Sequence, residues 1–322
     1  MPNFDFFQTF FMLAGFSLAM YSCVANDVPQ TLGTFLSSNM KRPRFTIWAF
    51  TITIFIATIT IGYFFNAGDM AFGRLDQIPM AAKLYWWHLI PPIVLLTLTR
   101  FGIPVSTTFL LLSVFSSTAV IGAMVMKSLA GYIIAFASAM FAYTVISRKI
   151  EKKWILTAHL APPRRWIIAQ WISTAFLWSS WLMQNSANLV VYFPRDVSIW
   201  KLLLVIVAMS GFMWLIITKR GGRIQKIVMR KTSVTDVRSA TIINFIYGII
   251  LFLFLKYSTV PMSTTWVFIG LLAGREIALR YRLDIDNKPQ MWRDIIRDFL
   301  KISLGLLVSI GVAYMIVYLS GV

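Results

Sequence analysis

Acidic residues and cysteine are the scarce things in this sequence. Twelve Asp and Glu stand against 30 Lys and Arg in 322 residues, and charged residues of both signs make up only 13% of the chain. A soluble domain carries about a quarter. The single cysteine, Cys23, excludes a disulfide within the chain. Only two histidines occur, His88 and His159, and they lack the spacing of a metal-ligand set. No Gly-rich loop ending in Gly-Lys-Ser/Thr is present, so ATP-driven pumping by this chain is not expected. No set of side chains suits an intramembrane enzyme. The opening MPNFDFFQ has no Lys or Arg. A secretory leader begins with a basic stretch, so the first apolar run is expected to be a retained span.

What the sequence has in abundance is apolar surface. Hydrophobic residues make up 58% of the chain, and several runs approach or exceed the ~18 residues that cross a bilayer. The net charge of +18 does not point to nucleic acid, because the basic residues lie in short connections between apolar spans and not on a water-facing domain. Their distribution reads instead as topology. Residues 40–44, 148–166, 219–240 and 275–301 hold 23 of the 30 Lys and Arg, whereas the alternate connections hold only Arg74, Lys83, Lys127, Arg195 and Lys201. This is the asymmetry of a multi-pass protein of the cell (inner) membrane with its basic connections in the cytoplasm. It places both termini outside.

The spans repeat. The first long stretch, 6–39, is interrupted by Val24-Ala-Asn-Asp-Val-Pro-Gln30, and Pro29 disfavours helix there. Residues 45–65 and 129–146 read as plain spans. Between them, residues 84–122 are broken by Arg100-Phe-Gly-Ile-Pro-Val-Ser-Thr-Thr108. In the second half, 167–183 leads into Gln184-Asn-Ser-Ala-Asn188, a plain span covers 199–218, residues 241–274 are broken by Pro261-Met-Ser-Thr-Thr265, and a last span covers 302–319. Ser106 and Ser263 lie 157 positions apart, and Asp27 and Asn185 lie 158 apart. Two unrelated polar breaks at nearly one offset indicate duplication, and matching interrupted helices point to a transporter's binding site. The expected fold is an all-α polytopic membrane protein of two inverted repeats, 1–147 and 167–322, joined by a basic linker, 148–166. Each repeat has three crossings, the first of them broken, and one re-entrant hairpin. Polar, non-helical backbone at membrane depth must line protein or water, which favours hairpins over double crossings. The apolar face of 291–301 is either an interfacial helix or a plain connector. Trp86, Trp87, Trp154, Trp166, Trp200 and Trp292 fall near span ends, as interface anchors do.

The repeated Pro-x-Ser-Thr-Thr loops carry the chemistry. Proline suits a helix's first turn, and the free N–H groups beyond it meet the positive helix end, an arrangement that binds anions. The hydroxyls of Ser106, Thr107, Thr108, Ser263, Thr264 and Thr265 can donate to oxyanion oxygens; ordinary Ser/Thr packing between membrane helices is the alternative. Asp27, an acid inside an apolar span, marks an ion or proton site by default. With Asn26 and Gln30 it offers hard oxygens to a small cation, or it carries a proton, or it forms a structural ion pair. The second copy reads Gln184, Asn185 and Asn188, without the carboxylate. Arg100 and Lys256 precede the two loops. They would contact the anion, pair with Asp27 or reach a water-filled vestibule.

These motifs resemble those of the inorganic phosphate transporter (PiT) family, whose Gly-Ala-Asn-Asp-Val-Ala-Asn and Pro-Val-Ser-Thr-Thr-His motifs are each duplicated in inverted repeats. Here Val24-Ala-Asn-Asp-Val-Pro-Gln30 and Pro104-Val-Ser-Thr-Thr108 match, with Phe109 in place of His. Gln184-Asn-Ser-Ala-Asn188 and Pro261-Met-Ser-Thr-Thr265 are the second copies, with Trp266 in place of His. The resemblance implies a secondary transporter that holds phosphate or a related oxyanion at the two Ser-Thr-Thr tips and couples it to sodium or protons, and it suggests a homodimer. Asn26 and Asp27 would serve the cation or substrate site. Loss of one carboxylate and the added Arg100 and Lys256 would make the centre more positive, so sodium coupling is expected to be weakened or absent, leaving proton coupling or facilitated exchange. A non-transporting membrane scaffold or sensor that retains this fold is the competing reading; a collapsed, apolar-filled centre would favour it, and a tetrahedral anion bound at the Ser-Thr-Thr tips would favour transport.

Overall fold

The computed structural model describes residues 5–146, 162–195, 197–219, 236–282 and 288–320, together with Trp154, Thr157 and Gln225. Most of the 148–166 linker, and His159 with it, lies outside the described residues. Among them, helix is the only regular secondary structure. The α-helices are α1 (Phe6–Thr31), α2 (Gly33–Ser38), α3 (Arg44–Phe65), α4 (Ile90–Arg100), α5 (Thr107–Leu112), α6 (Thr118–Ile146), α7 (Arg164–Val190), α8 (Ile199–Thr218), α9 (Val237–Tyr257), α10 (Thr264–Arg282) and α11 (Lys288–Ser320). Six of them, α1, α3, α6, α8, α9 and α11, are long and apolar enough to cross a membrane.

The helices start and stop for local reasons. Asp5 caps α1 by accepting from the N–H groups of Phe7 and Gln8 at 3.1 and 3.2 Å, and Asp236 caps α9 through Arg238 N–H. Helix α1 does not break at residues 24–30 as expected. It runs through Asn26, Asp27 and Pro29, and the interruption falls at Leu32. Proline deletes a single N–H, and Gln30 Nε2 donates to Asn26 O at 3.0 Å beside the lost bond. Leu32 N–H then closes on Val28 O at 2.8 Å. Likewise α7 passes unbroken through Gln184–Asn188. No proline lies inside it to strain the helix.

The two broken stretches differ in length. Helix α4 has 11 residues and α5 has 6, so at ~1.5 Å per residue neither reaches across a ~30 Å core. Together they make a hairpin too short for two crossings. By contrast, α9 and α10 have 21 and 19 residues, each about a bilayer thickness. Prolines 91 and 92 force α4 to begin late, whereas α9 contains no proline. The last span also runs longer than expected. With no glycine or proline between Gln290 and Leu304, the 291–301 segment continues directly into α11, 33 residues in all. Trp86, Trp200 and Trp292 stand at the molecular surface, as anchors should. Trp154 is instead buried, with the Arg238 guanidinium 5.4 Å from its ring centroid.

Packing is reciprocal between the halves. Helix α5 lies against α11 and α10 against α6, while α1 lies against α8 and α7 against α3. The α6–α10 contact is the closest. A Cβ at Gly270 would sit 2.4 Å from Tyr132 O, and one at Gly274 would sit 2.1 Å from Phe136 O. A Gly-x-x-x-Gly spacing thus lets two backbones touch, as small residues do between membrane helices. Helices α1 and α7 run through the middle, and their polar residues face both hairpin tips.

Candidate functional site

Each tip is assembled differently. The first is a helix stop built on glycine. Gly102 adopts φ +73°, Gly102 N–H donates to Thr99 O at 2.9 Å, and Ile103 N–H donates to Leu98 O at 3.0 Å. This pair of bonds satisfies the last carbonyls of α4. After Pro104 the chain re-enters a helix at Ser106, whose Oγ accepts from Phe109 N–H at 3.2 Å and so caps α5. The second tip has no glycine. Its carbonyls are met by cations: Arg74 donates to Leu255 O at 2.8 Å and to Ser258 O, and Lys127 donates to Ser258 O at 3.2 Å and to Val260 O. Ser263 repeats the cap, with Oγ accepting from Trp266 N–H at 3.3 Å, and its own N–H donates to Ser128 Oγ at 2.8 Å. Burial holds Arg74 down to about 10, against the opposing pull of Asp76, so it remains protonated at neutral pH.

The two tips bond directly to each other. Thr108 Oγ1 donates to Met262 O at 3.2 Å, and Thr265 Oγ1 donates to Val105 O at 3.3 Å. Thr108 and Thr265 are 157 positions apart, and so are Val105 and Met262. The tips also reach the central helices in parallel ways. Thr107 Oγ1 donates to Asp27 Oδ2 at 2.7 Å, and Thr264 Oγ1 lies 3.5 Å from Asn185 Oδ1. Asn26 Nδ2 donates to Asp27 Oδ1 at 2.8 Å and to Val105 O at 2.7 Å. Asn188 Nδ2 stands 3.2 Å from each of Thr107 Oγ1, Thr108 Oγ1 and Asn185 Oδ1. Three acceptors share two hydrogens, so one of these is always a weaker contact.

Every one of these site side chains is buried. The structure thus gathers Asn26, Asp27, Ser106, Thr107, Thr108, Asn185, Asn188, Ser263, Thr264 and Thr265 into one polar centre. Gln30 and Gln184 flank it, with Gln184 Nε2 donating to Leu251 O at 3.0 Å. Arg100 and Lys256 are not brought there. They are exposed in the last turns of α4 and α9, where a cation suits the negative helix end. Positive charge on the anion from these two side chains therefore has no support in the geometry.

Several members of the network were not singled out from the sequence. Thr99 Oγ1 lies 3.5 Å from Asn26 Oδ1. Tyr247 OH donates to Thr264 O at 2.9 Å. Asn244 accepts from Thr34 at 2.6 Å and donates to Thr174 at 2.9 Å. A lone Asn inside the apolar α9 was the available signal. Arg74 and Lys127 read as sparse loop charges because nothing in the sequence shows that the 66–85 connection folds over the second tip, or that α6 starts early enough to carry Lys127 beside it.

Asp27 offers the only carboxylate in the centre. Among the described residues no Lys, Arg or His pairs with it, and no group of three His, Cys, Asp or Glu forms a metal cluster. A hard monovalent cation needs only oxygens. Those at hand are the Asp27 carboxylate, Asn26 Oδ1 and Gln30 Oε1, the last buried without a hydrogen-bond partner. At the second copy, Gln184 Oε1 and Asn188 Oδ1 are also buried and unpartnered. Oxygen acceptors in search of a donor or cation are what a small-cation site requires.

The architecture and the buried polar centre define a polytopic helical membrane protein. No family model and no curated relative matches the sequence. The fold is similar to that of a solved sodium-dependent phosphate transporter, with a TM-score of 0.59 over 98% of this chain and 100% of that one. Sequence identity is 14%, so the likeness is one of fold.

Proposed function

We propose that the chain is a secondary transporter of inorganic phosphate, or a similar tetrahedral oxyanion, working by alternating access. The single observation that carries this reading is the reciprocal bonding of the two Ser-Thr-Thr tips across a buried polar centre. The fold likeness to a sodium-dependent phosphate transporter supports it. The two halves, 1–147 and 167–322, act as inverted repeats joined by the 148–166 linker, with the basic connections cytoplasmic. An anion enters between the tips by replacing the Thr108–Met262 and Thr265–Val105 contacts. The six Ser and Thr hydroxyls and Asn188 then donate to its oxygens, and the N-termini of the helices that follow the tips supply positive potential. The coupling ion, sodium or a proton, belongs beside Asp27 with Asn26 and Gln30. Gln184 and Asn185 form the uncharged counterpart. A bound sodium ion would supply positive charge that the centre's own side chains lack.

A scaffold would be expected to fill this space with apolar side chains. The centre is polar throughout, and that favours transport. Labelled phosphate and sulfate uptake into proteoliposomes, with and without sodium and a pH gradient, tests the reading. Gradient-driven uptake that falls to background in Ser106→Ala/Ser263→Ala is expected. Each substitution also removes a helix cap worth about 1 kcal/mol, so thermal unfolding must show that the variant is folded. Absence of uptake under every gradient, or unchanged phosphate affinity in the folded double variant, would remove the proposal.

A further inference from the structure

The second tip holds more positive charge than its architecture needs. The first tip closes α4 with backbone bonds around Gly102 and uses no cation for them. At the second, Arg74 and Lys127 arrive from different parts of the chain and donate to the same oxygen, Ser258 O. Either cation would satisfy that carbonyl. Instead two basic side chains meet in a poorly solvated place: Arg74 is 1% exposed, and Lys127 is half-buried. Among the described residues no carboxylate ion-pairs with either. Asp76, the acid that acts on Arg74 electrostatically, is exposed. Arg74 Nε is buried with no hydrogen-bond partner. Lys127 has three N–H donors and two carbonyl partners. An unpartnered guanidinium donor, a spare ammonium proton and an uncompensated pair of cations are the chemistry of an oxyanion site.

We propose that Arg74 and Lys127 form a second oxyanion site at the tip of the α9–α10 hairpin, separate from the Ser-Thr-Thr centre. It lies at the end of α9 and is reached from the connections opposite the basic ones. A phosphate group fits this chemistry, whether as a free ion or as the headgroup of an acidic lipid. A planar guanidinium gives it two parallel N–H donors and the ammonium a third. The anion binds by taking over donors now spent on Ser258 and Leu255 carbonyls. Its occupancy therefore loosens the cationic hold on the hairpin tip, which makes the site a staging point for an anion approaching the centre.

The test uses the full chain purified in dodecyl maltoside. Inorganic phosphate is titrated calorimetrically into the wild type, Lys127→Gln and Arg74→Gln, and into the same two substitutions on a Ser106→Ala/Ser263→Ala background. In a second arm, phosphatidylglycerol is titrated in the absence of phosphate. On the background lacking the central serines, residual saturable phosphate binding that weakens about tenfold or more in Lys127→Gln is expected, the weight of a charged hydrogen bond. If phosphatidylglycerol shows the Lys127-dependent saturation and phosphate does not, the site takes a lipid headgroup. If neither ligand's isotherm responds to Lys127→Gln or to Arg74→Gln in folded protein, the two cations only cap α9 and the proposal fails. Because both backgrounds are titrated, failure of the central-site reading shows separately, as unchanged binding in Ser106→Ala/Ser263→Ala alone. Arg74→Gln is the variant more exposed to misfolding, so the half-buried Lys127 carries the decision.

Discussion

A carboxylate buried as Asp27 is cannot remain ionised without a partner, because moving a charge out of water costs several kcal/mol after relaxation. Its two oxygens accept neutral hydrogen bonds from Thr107 and Asn26, which orient the group without neutralising it. Neutrality has to come from a sodium ion or a proton, and Asp27→Asn removes the need for either. That variant should keep anion exchange in proteoliposomes but lose stimulation by a sodium or pH gradient, with net uptake down by about tenfold or more, the usual weight of a charged site group. Gradient stimulation that survives Asp27→Asn would move the coupling site elsewhere. The counterpart, Asn185, already carries the amide. Asn185→Asp would add a second buried charge and should raise the cation requirement, seen as a steeper dependence of uptake on sodium concentration.

Helix contacts decide how far the hairpins are held. Gly270 and Gly274 bring α10 onto the backbone of α6, and both prospective Cβ atoms would fall well under 3 Å from carbonyl oxygens of Tyr132 and Phe136. Backbone cannot swing aside as a side chain can, so Gly274→Ala must push the helices apart. A loss of about 1–3 kcal/mol is expected from overpacking, read as a lower unfolding temperature in detergent. Gly311→Ala in α11, where nothing lies within 4 Å of the added Cβ, should raise that temperature by the helix-propensity gain of up to about 1 kcal/mol and so serves as the control for propensity. The sequence made many of these elements legible. The bounds of α8 matched the expected 199–218 span because its apolar run has no internal polar break. The interruption in α1 was misplaced because proline propensity is local, whereas the surrounding helices keep Asn26 and Asp27 in helical register. The second hairpin's length was hidden for a related reason. The Pro261 loop marks where the chain turns, and nothing in it says how far α9 and α10 extend. Arg74 and Lys127 were illegible as tip contacts because their pairing with Ser258 joins residues 184 and 131 positions apart.

Alternating access requires that the two tips part, and two threonine hydroxyls stand across that seam. Each neutral hydrogen bond contributes about 0.5–1.5 kcal/mol. Removing both Thr108–Met262 and Thr265–Val105 contacts therefore shifts the closed-to-open ratio by about 1–3 kcal/mol, or roughly 5- to 150-fold. The single cysteine makes this measurable without engineering one. Cys23 lies one helical turn before Asp27 on α1 and is fully buried, so a small polar thiol reagent reaches it only when the centre opens. Thr108→Val/Thr265→Val should accelerate Cys23 modification by at least about fivefold, with each single substitution giving a smaller part. Saturating phosphate should change the rate in the wild type more than in the double variant, because the anion competes with the Met262 and Val105 carbonyls for threonine hydroxyl donors that the double variant lacks. The contacts are related by one sequence offset, so an inverted-repeat mechanism predicts that the two single variants act with similar size. Equal, unaccelerated labelling in all variants would mean that the tips are welded by something other than these bonds, and that opening occurs along a different seam.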